Sequence, residues 1–285
     1  MAITNLKNQI QNIINLPALP SITIEIIGII DNPDTDVYSL SKIIAKDQVL
    51  TSKVLKVANS PFYSYPRIIS TIDFAITILG FETIKEIVLS VSYINYFRNY
   101  KIKLFDINKF WTHSIISSVV CKEISKIINY KITGEAFVAG LIHDIGIFIM
   151  SQFYQNEFKE LIDRIDLGKE DLISIEKDIY GCSHEEIGSW LLERWNFPVQ
   201  LVEAIRSHHH PDAAVINPAL ASLVYYTEYL TLQTELSQYN CEKNLTFSPD
   251  YLSVLGLKDL KDIDDILDKN KEIFDREIEK TKFFS

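Results

Sequence analysis

Apolar residues recur at three- and four-residue spacing through almost the whole chain. No stretch sustains the strict alternation of a half-buried strand between turn signals. That period confines the chain to an all-α fold. A short amphipathic segment stops at Asn32-Pro33-Asp34, and VYSLSKIIAKD and QVLTSKVLKVANSP follow as two short helices. In the second of these Leu50, Val54, Leu55 and Val57 keep the helical spacing before Asn59-Ser60-Pro61 breaks it. Ser70 to Asp73 has the spacing of a capping box, Gly80 marks a stop, and Glu82 to Phe97 makes the next helix.

The second half continues in the same period. INKFWTHSIISSVVCKEISKII reads as a long amphipathic helix, NYKITG as a loop, and EAFVAGLIHDIGIFIMSQF as one strongly buried helix. Next come NEFKELIDRI, a helix after Gly168, CSHEEIGSWLLERWNFP, PVQLVEAIRSHHHP, and a Leu/Tyr-rich helix from Pro218 to Leu232. An acidic helical tail follows from about Lys258. No repeat of fixed length appears. A boundary between two helical lobes is expected near Tyr100 to Asp106. No Gly/Ser/Pro-rich linker marks it, so the lobes are expected to pack as one unit.

Charge excludes one class of partner. The net charge is −10, and it is uneven: residues 1–100 carry eight Lys/Arg and eight Asp/Glu, leaving 20 and 30 for the remainder. An acidic half is a poor surface for a polyanion, because neutralising phosphates drives nucleic-acid affinity. Nucleic acid is therefore not expected as a partner. Nor is a membrane, since no run approaches the roughly 18 uninterrupted apolar residues of a span. The opening MAITNLKNQIQNIINLP lacks the basic flank and long apolar stretch of a secretory signal. Cys121, Cys182 and Cys241 are far apart and odd in number, which suits reduced thiols in a cytoplasmic protein.

The chemistry is concentrated in the histidines. All six lie between His113 and His210. His113 shares a helix with Trp111 and Ile115, and His143-Asp144 sits inside the apolar run GLIHDIG on the next helix, so the two helices are expected to pair. A carboxylate in so apolar a run is rarely buried without a partner. Ser183 followed three residues later by Glu186 has capping-box spacing, which places His184 at the first helical position. The helix dipole disfavours imidazolium there, so His184 is expected to be neutral. His208-His209-His210 closes a helix before Pro211. Any one of these residues read singly is an ordinary core or surface histidine, and the trio by itself is a polar helix end. Taken together, on successive helices, they suggest a shared site for a divalent ion such as Zn, Fe or Mn. His210 is expected to point away from it. No GxGxxG, P-loop or GxSxG element is present, and Cys182-Ser183-His184 is too slight to argue a cysteine nucleophile.

At these residues the chain resembles the HD superfamily of helical metal-dependent phosphohydrolases. The match to its HDOD (HD-related output domain) branch is closer and longer. It runs from Leu16-Pro17-Ala18-Leu19-Pro20 through the Asp47 region and KVANSPFYSYPRIISTIDFAITILG to GLIHDIG, HEEIGSWLLERWNFP and AIRSHHHP. The resemblance implies an HDOD domain over about 10–235, with an N-terminal helical lobe (about 10–100) packed against an HD-like lobe (about 105–235). Residues 236–285 would form a C-terminal helical extension. It implies a metal set of His113, His143, Asp144, His184, His208, His209 and, at the late acidic position, Glu228.

Three departures separate this chain from catalytic relatives. Ile147 follows HD-I-G where many HD enzymes have lysine. HHHPDAAVINP lacks the Gly-Tyr-Pro signature of the cyclic-dinucleotide phosphodiesterases, and Glu228 replaces aspartate. The resemblance therefore implies a bacterial signalling-output module without catalytic residues. Such a module would act through contact with signalling proteins, with a vestigial or structural metal site. The alternative is a metal-dependent phosphohydrolase acting on a nucleotide or cyclic dinucleotide. Asn59, Ser60 and Pro61 are expected to shape a helix end, the other reading being a partner surface that includes Phe62, Tyr63 and Tyr65.

Overall fold

Five helices begin where a short polar side chain, that of Asp36, Asp47, Thr71, Asp171 or Ser183, takes up free backbone N–H groups. A computed structural model describes residues 21–29, 36–60, 63, 65–97, 104, 106–168, 170–232, 248–257 and 272. The opening Leu-Pro-Ala-Leu-Pro segment, the Asn32-Pro33-Asp34 stop, Pro61, Phe62, Cys241 and the tail from Lys258, apart from Glu272, lie outside these residues. Every regular element among the described residues is helical, so the fold is all-α. The chain divides into two compact units that part between Lys101 and Ile102.

In the N-terminal unit the helices are α1 (Ser21–Ile29), α2 (Val37–Ala45), α3 (Gln48–Ala58), α4 (Ile72–Leu79) and α5 (Phe81–Phe97). Asp36 caps α2 by accepting from Ser39 N, and Asp47 caps α3 by accepting from Val49 N and Leu50 N. Ile26, Leu40, Ile44, Val54, Ala75, Ile84 and Val88 are fully buried between these helices. The start of α4 differs from the sequence expectation by one residue: Thr71, not Ser70, is the N-cap, and its hydroxyl accepts from Phe74 N. Asn59 ends α3 as expected and does more than cap it. Its amide donates to Leu55 O and Ile69 O, both at 2.8 Å, and its oxygen accepts from Ile69 N at 2.8 Å. One side chain thus substitutes for a strand partner and ties the loop before α4 to the end of α3.

The C-terminal unit contains α6 (Ile107–Ile127), α7 (Thr133–Ile142), α8 (Ile145–Phe153), α9 (Gln155–Asp166), α10 (Leu172–Tyr180), α11 (His184–Arg194), α12 (Val199–Arg206) and α13 (Pro218–Leu232). Helices α6 and α7 form its most extensive pair, with α13 laid against both, while α11 packs on α8 and α12. Gly140 permits the first pairing: a Cβ there would stand 2.6 Å from Ser117 O on α6. The 133–153 stretch is long and apolar enough to cross a membrane by composition, yet 89% of its apolar window is buried inside the protein. Cys121 and Cys182 are buried free thiols. Residues 248–257, within the expected helical extension, instead make two short 3-10 turns, Pro249–Tyr251 and Ser253–Leu255. Tyr226 donates to Ser248 O and Tyr251 to Asp212, which fastens this segment to α13 and to the turn at Pro211–Ala213.

One expectation is overturned. The run EAFVAGLIHDIGIFIMSQF is not a single helix; it breaks between Ile142 and Ile145, at His143-Asp144. Asp144 leaves helical geometry (φ −92°, ψ 12°), and α8 restarts at Ile145. The break is held by backbone contact, since a Cβ on Gly146 would lie 2.0 Å from His184 O at the start of α11. Gly146→Ala therefore has to push α8 off α11. It is expected to destabilise the protein by at least about 2 kcal/mol, read as a lowered urea midpoint; an unchanged midpoint would refute this close approach. The capping box at α11 is complete, with Ser183 Oγ accepting from Glu186 N and Glu186 accepting from Ser183 N. Ser183→Ala should cost about 1 kcal/mol in the same assay.

Candidate metal centre

Consecutive residues in a helix point about 100° apart and do not share a focus. The site escapes that restriction twice. His143 and Asp144 occupy the break between α7 and α8, and His208 and His209 occupy the bend after α12, which stops at Arg206 with Ser207 as its cap. The histidine trio therefore follows its helix and does not close it. In both places two adjacent side chains turn to one point. His113 comes from the middle of α6, His184 from the first position of α11, and Glu228 from α13.

All seven residues meet in one buried cluster, and none exceeds 7% exposure. Nε2 of His113 lies 3.3 Å from Nε2 of His143, and Nε2 of His184 lies 3.2 Å from those of both His208 and His209. Asp144 sits at the centre. Its Oδ2 is 3.2 Å from His143 and 3.6 Å from His113, and its Oδ1 is 3.6 Å from His184 and 3.9 Å from His208. Oε2 of Glu228 is 3.7 Å from His208 and His209 and 3.9 Å from His143. The donors fall into two sets, His184 with His208 and His209, and His113 with His143, Asp144 and Glu228. His210, by contrast, is exposed.

The outer nitrogens reveal the protonation pattern. His143 Nδ1 is 2.9 Å from Gly140 O, and His208 Nδ1 is 2.7 Å from Ile205 O. A carbonyl can only accept, so in both rings Nδ1 carries a proton and Nε2 is left facing the cluster. His184 Nδ1 faces the Glu176 carboxylate at 2.9 Å, and its Nε2 is likewise turned inward. Unless protonated, these Nε2 atoms face one another and the Asp144 carboxylate with lone pair against lone pair. Buried acceptors facing acceptors are costly unless a cation lies among them. Inward Nε2 donors, Nδ1 atoms held by a second layer of acceptors, and two carboxylates fit a divalent metal such as Zn, Fe or Mn.

Burial and neighbouring charge shift these groups strongly. Burial, reinforced by His143, pushes His113 down to about 4, and burial holds His208 and His209 well below the usual imidazole range. Burial favours the neutral form of Asp144, but the surrounding histidines hold its carboxyl well below the ordinary range. His184 reverses the sequence expectation of a neutral ring. Burial lowers its pKa, yet Glu176, aided by Asp144 and Glu185, raises it to about 10 when no metal competes for Nε2. The helix dipole is outweighed by a carboxylate in direct contact.

Two acidic residues were missed in the sequence. Glu176, fully buried on α10, accepts from the His184 ring and from His184 N at 2.8 Å. Glu185 accepts from His209 N at 2.9 Å and from Ser183 Oγ, and burial pushes it up to about 7. Glu176 had a legible signal: it lies on the face of α10 that carries Leu172, Ile175 and Tyr180, where a carboxylate has no reason to be without a partner. The contact of Glu185 with His209 crosses 24 residues and left no local trace.

Comparison with known proteins places this architecture. The HDOD domain family matches residues 16–211. The chain is similar to a crystal structure of an HDOD domain protein of unknown function from Geobacter sulfurreducens, with 25% identity and a TM-score of 0.82 over 98% of this chain and 99% of that one. It shares its fold with a Shewanella amazonensis SB2B protein provisionally named a phosphohydrolase, at 23% identity and a TM-score of 0.73 over 100% and 98% of the two chains. An uncharacterised protein of Treponema pallidum (strain Nichols) is 23% identical over 200 residues; the match covers 69% of this chain but 38% of that relative's length. Helix α13, with Glu228, lies beyond the span matched to the family. With more than half of the chain matched and the same helical fold in solved relatives, the chain belongs to the HDOD domain family.

Proposed function

We propose that the chain is a signalling-output module that acts by contact with partner proteins and carries a buried divalent metal as part of its framework. The reading rests on one observation: five imidazoles and two carboxylates aim their donor atoms at one another, and every one of these residues is buried. A closed donor set is the mark of a structural site, whereas a catalytic site keeps a position open to water or substrate. Ile147, at the position where many catalytic relatives have lysine, is 1% exposed and brings no positive charge to a phosphoryl group. The metal, when bound, would neutralise Asp144 and Glu228 and clamp α6, the α7–α8 break, α11, α13 and the turn after α12. In this proposal the HDOD domain spans about 10–235, with signalling proteins as partners in a bacterial cytoplasm.

A contact surface adjoins the clamp. Val199, Val215 and Ile216 are 63%, 85% and 61% exposed, and a groove of about 530 Å3 runs beside Val199 and Ile216 past Phe197 and Val202 to Ser207. Ser207 immediately precedes His208, so the metal ligands and the groove wall share one backbone turn. Exposed apolar side chains gathered at one place suit a protein partner.

A second reading, a metal-dependent phosphohydrolase, is favoured by the split of the donors into sets of three and four, which is what two ions would require. One set of measurements separates the two. Elemental analysis of the purified chain is expected to find divalent metal. Chelation should lower the melting temperature by about 5 °C or more relative to protein with metal well above its dissociation constant. Asp144→Ala should take up less metal and lose that difference, while neither protein hydrolyses cyclic dinucleotides or nucleotides. Metal-dependent hydrolysis abolished by Asp144→Ala would replace the output-module reading with the enzyme.

A further inference from the structure

We propose that Glu176 is a positioning residue of the metal centre: its carboxylate orients the His184 ring and adds negative charge behind the all-imidazole donor set. The inference rests on the reading of the cluster as a divalent-metal site. It goes beyond that reading by giving a role to a residue outside the motif histidines.

The two donor sets differ in charge. His113 and His143 stand with Asp144 and Glu228, so an ion among them meets two carboxylates directly. His184, His208 and His209 form an all-imidazole set, with Asp144 Oδ1 3.6 Å from His184 and Glu228 Oε2 3.7 Å from His208 and His209. A dication buried among neutral imidazoles retains most of its charge, and so buried a site offers little water to screen it. Glu176 is the carboxylate placed to answer that. It is fully buried, and both of its oxygens lie 2.9 Å from His184 Nδ1. Oε2 also accepts from His184 N at 2.8 Å, so one group fixes the main chain and the ring together. The ring then has a single direction for Nε2, towards His208 and His209 at 3.2 Å.

The contrast with the neighbouring rings sharpens the assignment. His143 and His208 rest Nδ1 on carbonyl oxygens three residues earlier, in the helices they follow, which are neutral acceptors that any helical backbone provides. His184 opens its helix, where the preceding turn of carbonyls does not exist. A side chain from another element must therefore supply the acceptor, and α10 supplies a charged one. An anionic acceptor on Nδ1 makes the opposite nitrogen a stronger donor to metal.

Zn2+ titration of the full chain against a competing chelator tests this. Glu176→Gln keeps the shape and removes the charge, and it is expected to weaken Zn2+ binding about 10- to 100-fold. Glu170→Gln, at an exposed ion pair with Arg164, is the control and should bind as wild type does. Glu176→Asp, which keeps the charge on a shorter arm, should bind more tightly than Glu176→Gln, and this comparison holds even if Glu176→Gln folds poorly. Zn2+ binding by Glu176→Gln as tight as that of wild type, or tighter than that of Glu176→Asp, would overturn the role of Glu176 and leave the metal reading standing. Wild type that takes up no metal would overturn both.

Discussion

Asp144 imposes the constraint on which the C-terminal unit is organised. A carboxylate 1% exposed, set between two buried helices, cannot be stabilised by water. Its compensation has to come from side chains that reach it across the sequence. Nε2 atoms of four histidines lie within 3.9 Å of its oxygens, drawn from α6, the α7–α8 break, α11 and the turn after α12. Each of those elements is held where its imidazole can reach this one point. The helix packing of the unit and the polar cluster inside it are therefore a single solution to one electrostatic problem.

The backbone achieves this by interrupting helices where uninterrupted ones would be locally more favourable. A continuous helix through His143 and Asp144 would turn one of them away from the focus, whereas the observed break turns both inward. Gly146 makes the break tenable by letting α8 touch the first turn of α11 through backbone atoms alone. The capping box at Ser183 then sets the start of α11, which fixes where His184 emerges. Glycine, cap and ligand lie on consecutive links of one chain of cause. A change at Gly146 or Ser183 would thus reach the cluster without touching any of its donor atoms.

Around the donors lies a second layer that decides their chemistry. Backbone carbonyls fix the tautomers of His143 and His208, while Glu176 and Glu185 hold His184 and His209 from α10 and α11. In the N-terminal unit the Val57–Pro61 stretch of the family pattern has a structural use of its own. The Asn59 amide clamps Ile69 and so sets the loop that leads into α4. Both features, the Val-Ala-Asn-Ser-Pro stretch and the His-Asp pair, lie within the residues matched to the HDOD family.

The amino-acid sequence alone determined the helical class, most helix ends and the identity of six of the seven clustered residues. These follow from local period, capping residues and the clustering of histidines, all of which act over a few residues. The family pattern added the late acidic position at Glu228. What tertiary structure decided was of another kind. Whether His143 and Asp144 lie in a helix or at a break depends on Gly146 meeting α11, a contact 38 residues away in sequence. The protonation of His184 was misjudged because the helix dipole is a local property, while Glu176 arrives from a different helix and acts at 2.9 Å. The tautomers, the burial of the cluster and the roles of Glu176 and Glu185 likewise depend on distances between elements. The period of a helix fixes which face is apolar; only packing fixes what that face meets.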